Sequence, residues 1–344
     1  MANTASHPSG NGNRKPTATI YDIARHLDLS PSTVSRALNK PGRISAKTEK
    51  RIREAAAELG YRSNPMARAL PTGRTRMLGL VVSDVTNPVF FGLVRGAGQA
   101  CNELGYTLVF AESQESDEVE YGTLDRLLPA VDGIVLAAAR LDDREIRRIA
   151  QTTDVALINR RVGEIPAIVP DIDSGVEQAI DHLVALGHSS VAYVSGPPRS
   201  WMSRERGERL FECAVDRGLT FTEVGPNAPT REGGADALRR VRATGASVVI
   251  AYNDLMAIGF VRACQDAGIR VPDDIGVIGF DDIFGADFTT PPITTIRSPL
   301  DQAGATAVRT LVATLDAQDA AESLPLRTEL IVRGSTAPAL PPRT

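Results

Sequence analysis

The segment S-P-S-T-V-S-R-A-L-N, residues 30–39, places small hydroxyl side chains and one arginine close together. A helix over residues 31–38 would have one apolar face, because its apolar residues recur at helical spacing. The opposite face would present Ser32, Thr33, Ser35 and Arg36. Arg36 could donate two hydrogen bonds to a guanine edge, or bind one phosphate. The segment therefore indicates a DNA-reading helix, and a solvated helix face is the alternative.

Three further side chains lie near this helix in the sequence, where they could hold the DNA backbone and fix the register of the helix. They are Tyr21, Asn39 and Ser45. Ser45 has a second expected role, because its hydroxyl could accept a hydrogen bond from a free backbone N–H at a helix start. For each of the three, an ordinary solvated side chain is the alternative.

The segment N-P-M-A-R-A-L, residues 64–70, is a second candidate for contact with DNA. It places Leu70 beside Arg68 and outside any evident core. A leucine inserted between base steps unstacks them, and the bent duplex offsets that cost through added contacts. The alternative is that Leu70 packs against the rest of the chain. Because Pro71 disfavours helical geometry at the preceding residue, we expect a helix here to end early.

Polar residues of another kind follow the apolar runs of the remaining chain. They are the pairs Ser83-Asp84, Asn159-Arg160, Ser195-Gly196, Asn253-Asp254 and Asp281-Asp282. Doubly wound parallel sheets bind ligands at the carboxyl ends of their strands. The sequence therefore predicts a small-molecule site at these ends. For Asp254 and Asp282, turn or helix-capping roles are favoured over ligand binding.

Helices must position the DNA-binding candidates. The apolar spacing predicts three of them, over residues 20–27, 31–38 and 46–59. Ser30 and Ser45 are expected to cap the second and third helices, and Gly60 to end the third. Leu59 is expected to face inward. Asp28 lies in the turn between the first two helices, where an aspartate tolerates a left-handed backbone.

After Gly73, apolar runs of four to seven residues alternate with amphipathic helices. The runs are residues 78–82, 107–110, 133–137, 155–159, 191–195, 247–251 and 275–280. Continuous apolar strands separated by helices predict parallel sheets in a doubly wound α/β body, as one large sheet or two small ones. Gly105, Gly187 and Gly268 are expected where helices end.

Charge is unevenly distributed along the 344 residues. Residues 1–76 contain four Lys and ten Arg but only five acidic residues, whereas the whole chain has a net charge of -4. A cationic head on an acidic body is typical of a protein that binds a polyanion. A solvated basic surface is the alternative.

Other classes of protein find less support in the residues. The sequence has no G-x-G-x-x-G opening a helix, no Walker loop and no clustered Cys, His and Asp set, so we expect no catalytic site, cofactor or metal. Cys101, Cys213 and Cys264 are expected to be buried free thiols in a reducing cytoplasm. Residues 1–17 lack an apolar signal region and are expected to be a disordered tail, and no apolar run suggests a membrane span.

The ordered set of motifs resembles the lactose-repressor/galactose-repressor (LacI/GalR) family of transcription regulators across nearly all of residues 18–336. In the head the resemblance is carried by T-I-Y-D-I-A, S-P-S-T-V-S-R-A-L-N, I-S-x-x-T and E-L-G-Y-R-S-N-P-x-A-R-x-L. In the body it is carried by N-P-V-F-F (87–91), D-G-I-V-L (132–136), G-H-S-S-V-A-Y-V-S-G (187–196), R-x-x-G (204–207), N-D-L-M-A-I-G (253–259), V-P-D-D-I-G-V-I-G-F-D-D (271–282), P-I-T-T-I (292–296) and R-G-S-T (333–336).

The resemblance implies a homodimer that binds a near-palindromic double-stranded DNA operator. It also implies a periplasmic-binding-protein-like body of two subdomains, joined by crossovers near residues 170–174, 297–300 and 326–329. A small effector of the carbohydrate class would bind in the cleft between the subdomains. By motif position its contacts would be Asp84, Phe90, Asn159, Arg204, Asn253 and Asp281. Arg204 could fork onto vicinal hydroxyls or a carboxylate, and a surface ion pair is its alternative role.

The same resemblance gives an expected domain plan. It consists of a tail (1–17), an all-α helix-turn-helix DNA-binding head (18–63), a hinge (64–75) and a body (76–340). The first subdomain would span about residues 76–170 and 300–327. The second would span about residues 171–298 and 328–340.

The sequence also departs from the family pattern. The turn between the two head helices usually holds Ala-Gly, and Leu27-Asp28 occupies it here. No aromatic residue lies near Pro229-Thr230, where several members place one against the effector. Prolines 338, 341 and 342 preclude a heptad tail of the kind that forms tetramers in this family, which favours a dimer.

The expected function is a cytoplasmic, sequence-specific transcriptional repressor whose operator affinity changes when an effector binds. Two alternatives stay open: an α/β enzyme acting on a nucleotide, and a transport-type small-molecule binding protein without a membrane span. The lack of a nucleotide-binding motif and of a Cys, His and Asp set argues against the enzyme. The missing secretion signal and the basic head argue against the transport-type protein.

Overall fold

The computed structural model describes residues 18–39, 43–61, 73–318 and 326–339. The chain consists of two compact units, residues 1–75 and residues 76–344. The predicted tail and most of the predicted hinge, including Arg68 and Leu70, lie outside the described residues. So does the side chain of Asn39.

Three helices form the described part of the first unit: α1 (Ile20–Leu27), α2 (Pro31–Asn39) and α3 (Ala46–Glu58). Their boundaries confirm the predicted helices to within one residue. The core of this head is a small apolar cluster made of Ile23, Ala24, Val34, Ala37, Ile52, Ala55 and Ala56. The inward prediction for Leu59 is wrong, because it follows the last helical turn and is 36% exposed. The chain reverses at Gly60, and Tyr61 packs against the cluster.

Side-chain caps fix where the head helices begin. The hydroxyl of Ser30 accepts a hydrogen bond from the Thr33 N–H at 3.2 Å, and that of Ser45 accepts one from the Thr48 N–H at 3.2 Å. Both predicted caps are therefore confirmed. Asp28 has φ 53°, so the turn between α1 and α2 keeps the expected left-handed residue.

A five-stranded sheet and its helices form the first subdomain of the second unit. Its elements are β1 (Met77–Val82), α4 (Val89–Glu103), β2 (Thr107–Glu112), α5 (Asp117–Leu127), a 3-10 turn (Leu128–Ala130), β3 (Gly133–Ala137), α6 (Asp143–Ala150), β4 (Asp154–Ile158) and β5 (Ala167–Ile168). All strands are parallel, in the order β2-β1-β3-β4-β5. The central strands β1 and β3 are almost wholly buried, as expected when helices cover both faces.

A six-stranded sheet forms the second subdomain. Its elements are α7 (Ile172–Ala185), β6 (Ser190–Val194), α8 (Trp201–Asp216), β7 (Thr220–Val224), α9 (Arg231–Thr244), β8 (Val248–Ala251), α10 (Asp254–Asp266), β9 (Gly276–Asp281), β10 (Thr294–Arg297) and β11 (Glu329–Ile331). The order is β11-β10-β9-β8-β6-β7. The second of the two predicted arrangements, two small sheets, is therefore the one formed. The sheet is mixed, because β11 runs antiparallel to β10.

The chain passes between the two subdomains more than once. After β5, α7 packs on the second sheet, and α11 (Leu300–Leu315) then returns from β10 to pack against α4. The two helices pack closely at Gly304, where an added Cβ would lie only 2.2 Å from the Leu93 carbonyl oxygen. β11 then joins the second sheet. These passages bring the strand ends of both sheets to one cleft.

Candidate functional site

The outward face of α2 carries the predicted DNA-binding side chains. Ser32 and Arg36 are exposed, and Thr33 and Ser35 are partly buried. The Ser30 hydroxyl lies 2.9 Å from that of Ser32 and 2.8 Å from that of Thr33, so the start of the helix holds both side chains in place. Tyr21 is 68% exposed on α1, and Ser45 is exposed while it caps α3.

The basic side chains of the head divide into two groups. Arg25, Lys50 and Arg53 pair with acidic residues one turn away on their own helices. Among the described residues, four other exposed cations have no ion pair: Arg36, Arg43, Lys47 and Arg51. Cations without a carboxylate partner can bind phosphates without first breaking an ion pair. The head therefore presents one such cation on α2, Arg36, and three more at the start and on the surface of α3.

In the second unit, a cleft of about 370 Å³ lies between the two subdomains. Its first wall includes residues 140–143, Glu145, Asp117, Arg160 and Arg161. Its second wall is residues 198–201 together with Arg204. Five of the lining residues are arginines: Arg140, Arg160, Arg161, Arg199 and Arg204. A ligand here would contact both subdomains at once.

One ion pair joins the two walls of this cleft. Arg199, in the loop after β6, donates to the carboxylate of Asp117 at the start of α5. Both side chains are substantially exposed, so the pair contributes little to stability by itself. Because the pair spans the cleft, it must rearrange whenever the two subdomains move apart, and so it depends on their separation.

Two arginines of the first wall, Arg140 and Arg160, are buried and held by specific partners. Arg140 donates to Glu115 at 2.7 Å and to the Ala138 carbonyl oxygen at 2.7 Å. Burial lowers the pKa of the Arg140 guanidinium, but Tyr252 and Glu115 outweigh it and raise the pKa overall. Arg160 donates to Asp143 at 2.7 Å. Its buried Nε has no hydrogen-bond partner among the described residues.

A second buried arginine site lies behind the other wall. Arg206 donates to Asp281 at 2.6 Å and to the Tyr252 carbonyl oxygen at 2.5 Å. Its guanidinium lies 3.7 Å from the centre of the Phe280 ring. The Tyr252 hydroxyl lies 3.0 Å from the hydroxyl of Ser200, which lines the cleft. Asp281 is therefore connected to the cleft wall through Arg206 and Tyr252.

The sequence pattern indicated Arg204 and missed Arg206. Arg204 lines the cleft, but its side chain is 61% exposed, and its ion pair with Glu208 is long, at 3.9 Å. Arg206 is buried on α8 together with Met202 and Leu210, four residues to either side. Helical phase was thus the signal that could have identified Arg206, because it shares the face of these apolar residues.

The structure gives Asn253 and Asp254 structural contacts at the start of α10. Asn253 accepts a hydrogen bond from the Met256 N–H at 2.9 Å and donates to the Pro229 carbonyl oxygen at 3.0 Å. Asp254 accepts from the Thr295 hydroxyl at 2.6 Å and from the Ile283 N–H at 2.8 Å. Burial raises the pKa of Asp254 to about 8. Asp254 therefore helps to fix the chain just after β9, next to Asp281, and Asn253 caps α10.

Three predicted effector contacts belong to the first subdomain. Asp84 accepts hydrogen bonds from the N–H and hydroxyl of Thr86, in a tight turn after β1. Phe90 is 6% exposed and packs in the apolar core. Asn159 follows β4 with φ 59° and is partly buried, directly before the cleft residues Arg160 and Arg161.

Membrane-spanning helices and metal-binding clusters are both missing from the described part of the chain. Within residues 18–39, 43–61, 73–318 and 326–339, no helix combines the length and the apolar character needed to cross a membrane. The same ranges contain no group of three or more His, Cys, Asp or Glu side chains suited to hold a metal ion. The three cysteines are free and buried, as predicted.

Comparison with protein families identifies both units. Residues 19–64 match the model for bacterial regulatory proteins of the lacI family. Residues 180–336 match the model for a periplasmic binding protein-like domain.

Relatives and solved structures agree with these matches. The regulator MalR of Streptomyces coelicolor is 33% identical over 340 residues, which cover 94% of this chain and 98% of MalR. The lac repressor dimer, solved with operator and the anti-inducer ONPF, has a TM-score of 0.82 at 25% identity, over 93% of this chain and 99% of that one. The regulator CelR, solved with cellobiose, has a TM-score of 0.68 at 27% identity, over 92% and 99%.

Proposed function

The chain belongs to the lacI family of bacterial regulatory proteins, and we propose that it is a repressor whose affinity for its operator changes when a carbohydrate-class effector binds in the body cleft. It is a DNA-binding transcriptional regulator with a small-molecule effector, and its relatives are regulators rather than enzymes. The finer parts of the proposal are the repressor role, the effector class, the dimer and the contact residues.

One observation carries this proposal: the arginine-lined cleft is bounded by both subdomains of the unit that follows the DNA-binding head. A ligand that contacts both walls must prefer some separations of the subdomains over others. It can therefore shift the arrangement of the body by its difference in affinity for two states. If the hinge transmits that arrangement, the ligand changes DNA affinity by linkage.

We assign the DNA contacts to the exposed face of α2 and its surroundings. Arg36 would read a base edge, and Ser32, Thr33 and Ser35 would contact bases or phosphates. Tyr21, Asn39 and Ser45 would hold the backbone. The hinge contacts proposed for Arg68 and Leu70 lie outside the described residues.

We assign the effector contacts to the cleft and the residues behind it. Arg204 would bind from the second wall, and Asn159 would bind from the first wall beside Arg160. Asn253 and Asp281 would act from behind the second wall, and Asp281 would also orient Arg206. Asp84 and Phe90 complete the proposed set. The carbohydrate class is supported by the cellobiose complex of the similar CelR.

The dimer and the domain plan belong to the same proposal. The similar lac repressor is described as a dimer bound to operator. Two heads related by a two-fold axis would read a near-palindrome, with half-sites about one helical turn or a multiple of it apart. The proposed boundaries are a tail (1–17), head (18–63), hinge (64–75) and body (76–340). The protein would act in the cytoplasm, where bacterial DNA lies.

Selection from a library of random DNA duplexes tests the proposal, because it requires no choice of a target gene. The full chain should enrich a near-palindromic sequence. A fragment of residues 76–344 should enrich nothing, because it lacks the head. A screen of carbohydrates for ligands that raise the melting temperature of the full chain would then supply effectors. Failure to enrich any sequence, with and without those ligands, would count against a sequence-specific regulator.

A further inference from the structure

We infer that the effector of this cleft carries an anionic oxygen group, a phosphate or a carboxylate, held between Arg161 of the first subdomain and Arg204 of the second. The inference rests on the proposed function of the cleft and narrows it. It states which kind of ligand would join the two walls.

Three of the five cleft arginines already have close carboxylate partners. Arg140 is held by Glu115, Arg160 by Asp143, and Arg199 by Asp117 across the cleft. Their charges are balanced by neighbours of the same unit. These three arginines therefore contribute mainly to the structure of the walls, and the other two are available to bind a ligand.

Arg161 and Arg204 are the two remaining cations. Arg204 pairs only with Glu208, at 3.9 Å between two exposed side chains, and such pairs are weak. Arg161 has neither an ion pair nor a side-chain hydrogen bond within the described ranges, and it is exposed. Burial and the neighbouring Glu208 raise the pKa of Glu205 on α8, and the guanidinium groups of Arg204 and Arg161 both act in the opposite direction. Both arginines line the same cleft, Arg161 from the first wall and Arg204 from the second.

The lining has four acidic residues, Asp117, Asp142, Asp143 and Glu145, against five arginines. Asp117 accepts from Arg199, and Asp143 accepts from Arg160. Asp142 and Glu145 accept from one another's backbone N–H groups at the start of α6. The lining thus has one more arginine than carboxylates, and neither Arg161 nor Arg204 has a close carboxylate partner among the described residues.

A neutral sugar needs acceptors for its hydroxyl protons as well as donors for its oxygens. A phosphate or carboxylate needs only donors, and a guanidinium fork matches its geometry. An anionic group between Arg161 and Arg204 would also remove the repulsion between two like charges as the cleft closes. The balance of donors and acceptors thus favours an anion-bearing effector.

Calorimetric titration of the full chain with inorganic phosphate tests the anion site directly. Phosphate should bind the unmodified chain, and Arg161→Gln and Arg204→Gln should each weaken binding about tenfold, the effect of one charged hydrogen bond. Arg239→Gln is the matched control, because Arg239 is an exposed helical arginine on α9 outside the cleft lining. It should leave binding unchanged. Absence of phosphate binding, or equal binding by all three variants, would overturn the inference.

Titration with glucose, glucose 6-phosphate and glucuronate then separates the two sources of the anion. Tighter binding of the phosphate ester supports a sugar phosphate, and tighter binding of the uronate supports a sugar acid. Tightest binding of the neutral sugar would overturn the inference. Retention of the selected operator in a gel shift is measured in parallel. If the full chain retains operator but binds no phosphate, the anion site is wrong and the proposed regulatory function stands.

Discussion

Arg206 and Asp281 form an ion pair of 2.6 Å in which both side chains are more than nine-tenths buried. The arginine comes from α8 and the aspartate from the end of β9, so the pair joins two distant parts of the second subdomain behind the cleft. Asp281 has φ 104°, a conformation that L residues rarely adopt, and its hydrogen bond to Arg206 helps to hold it there. The pair therefore shapes the strand end from which a ligand would be bound.

Replacing Arg206 by methionine should destabilise the body by about 3 to 5 kcal/mol, because the change leaves Asp281 as a buried, unpaired charge. Urea unfolding of the full chain, followed by circular dichroism, measures this. Arg262→Met is the control, since Arg262 is 74% exposed in a pair with Asp266, and its loss should cost less than about 1 kcal/mol. Equal losses for the two variants would show that the buried pair has no special role.

The buried carboxyl of Asp254 should make the stability of the body depend on pH. Burial raises its pKa to about 8, while the unfolded chain ionises near 3.8. Between these values the folded state keeps a proton that the unfolded state releases, so stability falls as pH rises towards 8. Asp254→Asn should make the slope of the free energy of unfolding against pH less negative, by up to about 1.4 kcal/mol per pH unit.

The effect is measured by comparing how the free energy of unfolding changes with pH in the wild type and in Asp254→Asn, between pH 5 and 7.5. Other titrating groups contribute equally to both proteins. Thr295 and Ile283 can both bond to an asparagine at this position, so the variant should fold. Asp236→Asn, at an exposed position of α9, should leave the slope unchanged. A wild-type slope retained in Asp254→Asn would mean that this carboxyl is already ionised in the folded chain.

Gly304→Ala should destabilise the first subdomain by about 1 to 3 kcal/mol through overpacking. The new Cβ would lie 2.2 Å from the Leu93 carbonyl oxygen, and backbone atoms cannot move aside cheaply. Gly98→Ala is a matched control in the partner helix α4, where the added Cβ meets only Leu108 Cδ2, at 4.0 Å. It should stabilise by roughly 0.5 to 1 kcal/mol through helix propensity. Thermal melts of both variants distinguish close packing from a general glycine effect.

Much of this fold could be predicted from the sequence, because its strongest signals are local. The head helices follow from apolar spacing and from Ser30 and Ser45 as caps. The central strands follow from continuous apolar runs, since both faces are covered. Strands at or near the sheet edges gave weaker signals: β7 is half exposed, β10 is rich in threonine, and β11 has three residues.

The cleft was harder to predict than the strands that surround it. Polar residues at strand ends indicated its general place, and the R-x-x-G motif indicated Arg204. The pairing of Arg199 with Asp117 joins positions 82 residues apart, and no local pattern encodes it. Arg206 was missed because its partner, Asp281, is distant in the sequence, and only the folded structure brings the two side chains together.

Arg36→Ala should weaken binding of the selected operator by about 1 to 3 kcal/mol and relax preference at one base position. The reason is the loss of a forked donor from the exposed face of α2. Arg36→Lys is the matched variant, since it keeps the charge and removes the fork. It should retain non-specific affinity and the salt dependence of binding, but lose the preference. Fluorescence anisotropy with operator and scrambled duplexes separates the two effects, and unchanged discrimination in both variants would exclude Arg36 as a reader.

The most direct test of the proposed regulation is the thermodynamic coupling between cleft and operator. Operator affinity of the full chain is measured with and without a saturating ligand from the stability screen, and ligand affinity with and without operator. Linkage requires the two ratios to be equal, and we expect a coupling of about 1 to 3 kcal/mol, or roughly 5- to 150-fold. An operator dissociation constant that stays the same at saturating ligand would contradict the proposal that the cleft controls the head.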